Sequence, residues 1–354
     1  MEMESKAADM EPTMNYLGAA VFWLYIVLAL AFTGTTLRTL YRLYNAYKPK
    51  KSQRRGGAIG LFLSLALLSF TTLSSNMLTV LIESFKGWTV GRDPKELASL
   101  PFAVWNWSIT SSLFRDFGEA IVESTPRFLW VQNALLATLS IFFFMGAEGR
   151  HRGVPHLWSF FCLSQILPIS FAQNLFYVAL LLSPEKGGRF HFSKTTSVLS
   201  AALYCICLAF AQEVAGTEKL IPIILVARLV LMAPLLLEGR GDSSSPSEQT
   251  SVDRATGDEL QRIILKTAFI MTGFRAYQAV QEGWTIQAIG DALFSHPAVT
   301  SLGCDFFISA LSFAAWTVFR PRTNPSTPKS SSPRATPTTT SVTTKQSAKG
   351  KKKA

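Results

Sequence analysis

The chain has 354 residues, 48% of them hydrophobic and only 16% charged, a balance too apolar for an ordinary soluble domain. Its net charge of +11 gathers in the loop after the first apolar run and in the residues from 320 onward, so it reports membrane topology and anionic headgroups and argues against a nucleic-acid partner. Walker, His-Glu-x-x-His, Cys-x-x-Cys and Asp-rich motifs are all missing, and the four cysteines (Cys162, Cys205, Cys207, Cys304) fall in apolar runs, which leaves nucleotide hydrolysis and zinc or magnesium chemistry without a carrier.

Residues 1–15 form a short acidic segment (Glu2, Glu4, Asp9, Glu11), unlike the basic start of a cleavable leader, so the first span is expected to stay in the mature protein. A helix needs about 20 mostly apolar residues to cross a bilayer. The runs that approach this length are 16–37, 58–82, 128–147, 157–182, 197–212, 220–237 and 299–319, with 197–212 the shortest. An eighth stretch, 260–280, is periodic but carries Arg262, Lys266 and Arg275, and is read as an interfacial or re-entrant helix. The expected fold is therefore all-α: one polytopic helical bundle over 16–319 with about seven spans, eight if 260–280 crosses, plus interfacial amphipathic helices.

Basic loops stay in the cytosol. Arg38, Arg42, Lys48, Lys50, Lys51, Arg54 and Arg55 follow the first span, which puts the N-terminus in the lumen. Seven crossings then return the basic end of the chain to the cytosol, whereas eight would not. Residues 320–354 are rich in Ser, Thr, Pro and Lys and are expected to be a disordered cytosolic tail. Its end, Lys351-Lys352-Lys353-Ala354, resembles the dilysine signal that coat proteins read on endoplasmic reticulum membrane proteins, although lysine runs are commonly just solvated.

Polar side chains at membrane depth are costly and mark candidate sites. On 157–182, Ser170, Gln173, Asn174 and Tyr177 share one helix face, and on 299–319 Asp305, Ser309, Ser312 and Trp316 make a second stripe. Helix-to-helix glue explains such serines and amides equally well, while an acid like Asp305 points more strongly to function. The segment 105–127, read as a helix, sets Asp116, Glu119 and Glu123 on one face, and crowded carboxyls are candidate proton donors. The alternative is a wet face with Arg115 pairing Glu119 and Arg127 pairing Glu123. Trp107 and Trp130 suit an interfacial belt or a cation-facing wall, Gln132 and Asn133 open the next span, and Arg228 lies midway along 220–237. Gly118-Glu119-Ala120-Ile121 is echoed by Gly290-Asp291-Ala292-Leu293, each copy leading into a span. Asn106-Trp107-Ser108 is a glycosylation sequon whose use would mark a lumenal position.

Several stretches together resemble the fungal membrane-bound terpene cyclases of meroterpenoid pathways. They are Leu113-Phe114-Arg115-Asp116-Phe117 with Glu119, Phe128-Leu129-Trp130, the Gly149-Arg150-His151-Arg152 loop, Ser164-Gln165-Ile166, Ser170 to Phe176, and Cys304-Asp305-Phe306 to Trp316. The resemblance implies an isomerase that protonates an epoxide or terminal alkene of a lipophilic prenylated substrate and closes rings through a carbocation, with no metal or organic cofactor. Under that reading Asp116, Glu119 or Asp305 is the acid, and Glu123, Gln132, Gln173 and Asn174 orient it or receive the proton. Trp107, Trp130, Asn133, Tyr177, Ser309 and Arg228 are candidates to line the substrate site among membrane lipids. Two other functions keep the same stripes: a transporter of a lipophilic small molecule, and a scaffold whose polar residues only join helices.

Overall fold

The computed structural model describes residues 15–46, 53–90, 92, 99–111, 113–183, 194–237 and 246–320, and every regular element among them is helical. In chain order these are α1 (Tyr16–Ala46), α2 (Gln53–Thr89), α3 (Leu100–Thr110), α4 (Leu113–Val122), α5 (Thr125–His151), α6 (Leu157–Ile166) and α7 (Ile169–Leu182). They continue with α8 (Lys194–Ala211), α9 (Leu220–Leu237), α10 (Pro246–Gln281), α11 (Ile286–Asp291), a 3-10 turn (Ala292–Phe294) and α12 (Pro297–Phe319). The expected tail, 320–354, lies outside the described residues apart from Arg320, as does most of the acidic N-terminal segment.

α1, α2, α5 and α12 are long and apolar enough to cross a membrane. Side-chain contacts fix how the bundle is threaded. Thr125, at the start of α5, bonds Gln212 beyond the end of α8 and Glu282 beyond the end of α10. Farther along, Leu135 accepts from Tyr204 and Asn133 from Thr272, so both α8 and α10 run antiparallel to α5. α12 runs parallel to α5, with Trp130 against Phe307 and Phe144 against Trp316. α9 folds back on α8, where the Ser200 hydroxyl donates to the Val230 carbonyl. The near end of the bundle thus gathers the start of α1, the end of α2, all of α3, α4 and α11, and the starts of α5, α9 and α12.

Two expectations are corrected here. Residues 157–182 are not one continuous span. Pro168 lacks an N–H, and Leu167 before it is extended (φ −105, ψ 173), so the helix stops and restarts. α6 runs from the far end toward mid-bundle beside α1, through Thr36–Ser159, Phe32–Trp158 and Tyr25–Ile166 contacts. α7 then returns to the far end, antiparallel to α2 (Phe70–Phe171, Phe62–Tyr177), and the Arg152 guanidinium donates to the Leu180 carbonyl. α6 and α7 form a helical hairpin whose tip is at mid-depth. With 10 and 14 residues, the two arms rise only about 15 and 21 Å. A separate finding concerns 260–280, expected to be interfacial or re-entrant. It belongs to the 36-residue α10, which lies along α5 and turns Leu265, Phe269, Ile270, Phe274 and Tyr277 outward. Arg275 does not force this helix to the surface because polar groups of α5 and the α8 terminus surround it.

The segment 105–127 is likewise not one helix. Extended Ser111 ends α3, and extended Ser124 with Pro126 starts α5 afresh. α4 between them packs Phe117, Ile121 and Val122 against residues of α5, α9 and α12. Its Gly118 faces Leu220, Ile221 and Ile224 of α9 at ordinary contact distance. The main core joins α5, α6, α7 and α12 around Phe142, Phe160, Phe161, Phe176 and Tyr177.

Candidate functional site

The two polar stripes meet. α7 and α12 run parallel through the centre, and Asp305 receives the Ile169 and Ser170 backbone N–H groups at 2.9 Å each, together with the Ser170 hydroxyl. Every helix start leaves N–H groups without intrahelical partners. Here the cap position is Pro168, which has no side-chain acceptor, and Asp305 supplies one from another helix. A further hydroxyl, Ser69 of α2, bonds Ser170. One step along, Ser309 donates to Gln173 Oε1 at 2.7 Å, while Gln173 Nε2 donates to the Ser309 carbonyl and to Tyr177 Oη. Asn174 donates to Ser312 Oγ at 2.8 Å, and Tyr177 stacks on Trp316 with centroids 4.7 Å apart and planes 2° from parallel. All of these residues are buried.

A second polar group lies at the near end. Arg275 of α10 donates to Gln212 Oε1 at 2.6 Å and to Gln132 Oε1 at 3.4 Å, and its guanidinium sits 4.9 Å from the centroid of the Phe128 ring. Gln212 donates to Thr125, which donates to Glu282. Thr272 bonds Asn133 beside them. Gln132 Nε2 and Gln278 Oε1 are buried with no hydrogen-bond partner among the described residues.

The remaining candidates are spread around the near end. Asp116 and Glu123 are exposed, and Glu123 pairs with Arg127 of the next helix. Glu119 is half-buried on α4. Trp130 donates to the Ile289 carbonyl at 2.8 Å, tying α5 to α11. Trp107 is buried and donates to Ser84, so it joins α3 to α2. Arg228 is exposed on α9. Asn106 lies inside α3, and the Ser108 of its sequon is buried and accepts from Trp23. Sequence reasoning named Gln132 and Asn133 but missed Thr125, Gln212, Arg275 and Glu282. Arg275 is visible as a charge in an apolar stretch, but nothing in the sequence shows its partners.

His296 caps α12 by accepting the Ala298 N–H on Nδ1 at 3.1 Å, which requires a neutral ring with its proton on Nε2. Burial and the Arg127 charge push this imidazole below its ordinary value, against weaker opposing pulls from Glu83 and Glu123. The unfolded histidine therefore takes up its proton first as the pH falls. The contribution of this cap is whole above about pH 6.5 and declines below it. We expect the protection of the Ala298 and Val299 amides, measured as exchange relative to the intrinsic rate at each pH, to fall between pH 7 and 5 in the wild type and to stay level in His296→Asn.

Comparison with known proteins returned no match to a family model, a curated protein or a solved structure. The fold and its outward apolar surface define the class: the chain is an all-α membrane protein.

Proposed function

We propose that the chain is a membrane-embedded terpene cyclase that protonates an epoxide or terminal alkene of a prenylated substrate and closes rings through a carbocation. The observation that carries this reading is the convergence of two stretches behind the family resemblance. Ser170 to Tyr177 lies along Asp305 to Trp316, with a buried carboxyl at one end of the seam and stacked aromatic rings at the other. A carbocation reaction asks for a proton donor, π-faces to share positive charge and a final acceptor. Asp305 is surrounded by donors, which suits it to the acceptor and charge-stabilising part, and Glu119 is assigned the initiating proton. Asp116 and Glu123, being exposed, rank behind it. Microsomes containing the chain and a panel of epoxidised prenyl-phenols test the assignment. Glu119→Gln is expected to cut turnover by about 10²-fold or more while leaving thermal unfolding unchanged. Full turnover in that variant removes Glu119, and no conversion of any compound by the wild type removes the cyclase.

A second reading, transport of a lipophilic small molecule, is favoured by one feature. Broken and re-entrant helices that meet at mid-depth are a device of transporters. Flux of the same compounds in proteoliposomes, with no conversion, selects it.

Both readings share a membrane topology of seven crossings, made by α1, α2, α5, α8, α9, α10 and α12, with the α6–α7 hairpin entering and leaving on the cytosolic side. Pro155 and Thr195 are exposed on either side of the hairpin, and Thr217 is exposed at the other end of the bundle. Cysteines placed at 155 and 195 should react with an impermeant reagent from one membrane face, and a cysteine at 217 from the opposite one. Labelling of 155 and 195 from opposite faces would restore 157–182 as a crossing. Residence in the endoplasmic reticulum, with coat proteins reading the terminal lysines, belongs to the same proposal.

A further inference from the structure

The near-end group around Arg275 buries a charge as well as an unpaired amide: Gln132 Nε2, like Asn174 Oδ1 in the α7–α12 seam, has no hydrogen-bond partner among the described residues. A guanidinium has five donors in a planar fork. Arg275 is only 9% exposed, yet among the described residues its hydrogen-bond partners are two neutral amides and it forms no ion pair. Glu213 and Glu282 act on it from a distance, and Glu282 is held by Thr125. Burying a charge without a contacting counter-charge is costly, and the usual remedies are a carboxylate or phosphate partner. Beside it, the fully buried Gln132 offers an Nε2 that has no acceptor among the described residues, and Gln278 Oε1 is left without a donor.

We propose that Arg275, Gln132 and Gln212 form a binding site for the carboxylate head of a lipophilic acid, with the guanidinium taking the carboxylate and Gln132 Nε2 donating to one of its oxygens. A carboxylate matches the fork geometry and supplies the missing negative charge. The amphiphilic class follows from the surroundings. Phe210, Phe274 and Tyr277, which flank the nest on α8 and α10, are large and exposed on the outer surface. Ile121, Val131, Ala211 and Leu220 make the neighbouring core apolar. A head drawn in from the bilayer keeps its tail among these side chains. The site stands whether the bundle catalyses or transports.

The full chain, purified in an uncharged detergent, is titrated with oleate, oleyl alcohol and acetate while thermal unfolding is followed. Oleate is expected to raise the melting temperature saturably, and oleyl alcohol, which lacks the charge, is not. Arg275→Gln should weaken oleate binding about tenfold or more. Gln132→Leu should weaken it severalfold, and it serves as the deciding variant if Arg275→Gln does not fold. Acetate reaching the same shift at the same concentration assigns the site to free carboxylates and keeps the recognition chemistry. Equal shifts with oleyl alcohol, or undiminished oleate binding in either variant, overturn the proposal.

Discussion

Asp305→Ala is expected to lower the stability of the purified protein by about 3 kcal/mol, because it strips three donors of their acceptor inside the bundle at once. The Ile169 and Ser170 N–H groups and the Ser170 hydroxyl all converge on this carboxyl. A buried donor left unpaired costs about 1–3 kcal/mol, and the lost cap adds about 1. Hydrogen bonds within membranes average nearer 0.6 kcal/mol by double-mutant cycles, which pulls the sum down from its upper limit. Asp305→Asn keeps one acceptor oxygen and should fall between. Ser312→Ala, which removes a single partner of Asn174, is expected to cost under 1 kcal/mol. Reversible unfolding in mixed detergent ranks the three. If Asp305→Ala were as stable as Ser312→Ala, the carboxyl would not be capping α7.

Trp316→Ala has an effect of comparable size and a different cause. The indole is buried in a stack on Tyr177 and also meets the rings of Phe62 and Phe144. Removing it leaves a cavity that close-packed neighbours fill only in part, at a cost of about 3–5 kcal/mol. Trp316→Phe retains the stacked face and should recover more than half of the loss. The same unfolding measurement tests both. A Trp316→Ala protein as stable as the wild type would mean that α12 and α7 do not pack face to face here.

The helical class and its apolar runs were legible because burial in lipid demands long hydrophobic stretches, and 16–37, 58–82, 128–147 and 299–319 all fall within helices able to cross. The two stripes were legible from spacing alone, since residues three and four apart share a face. Their pairing was not. Nothing in Ser170 or Asp305 states that one helix start is capped by the other helix, because the two are 135 positions apart. The hairpin was hidden because 157–182 has the length and oiliness of one span. Pro168 is the one signal of the break, and proline is also tolerated within continuous membrane helices. At 260–280 the sequence shows the charges but not their partners. Arg275 looks too polar for a bundle until Gln132, Gln212 and Phe128 are placed around it.

The distance along the chain between the hairpin and its cap has a consequence for biogenesis. At roughly 5–20 residues per second, the ribosome makes Ser170 about ten seconds before Asp305. During that interval the tip of the hairpin carries bare amide donors, and only the arrival of the last long helix closes them. A polypeptide shortened ahead of α12 would hold that defect permanently, giving membrane quality control a feature by which to tell an unfinished molecule from a finished one.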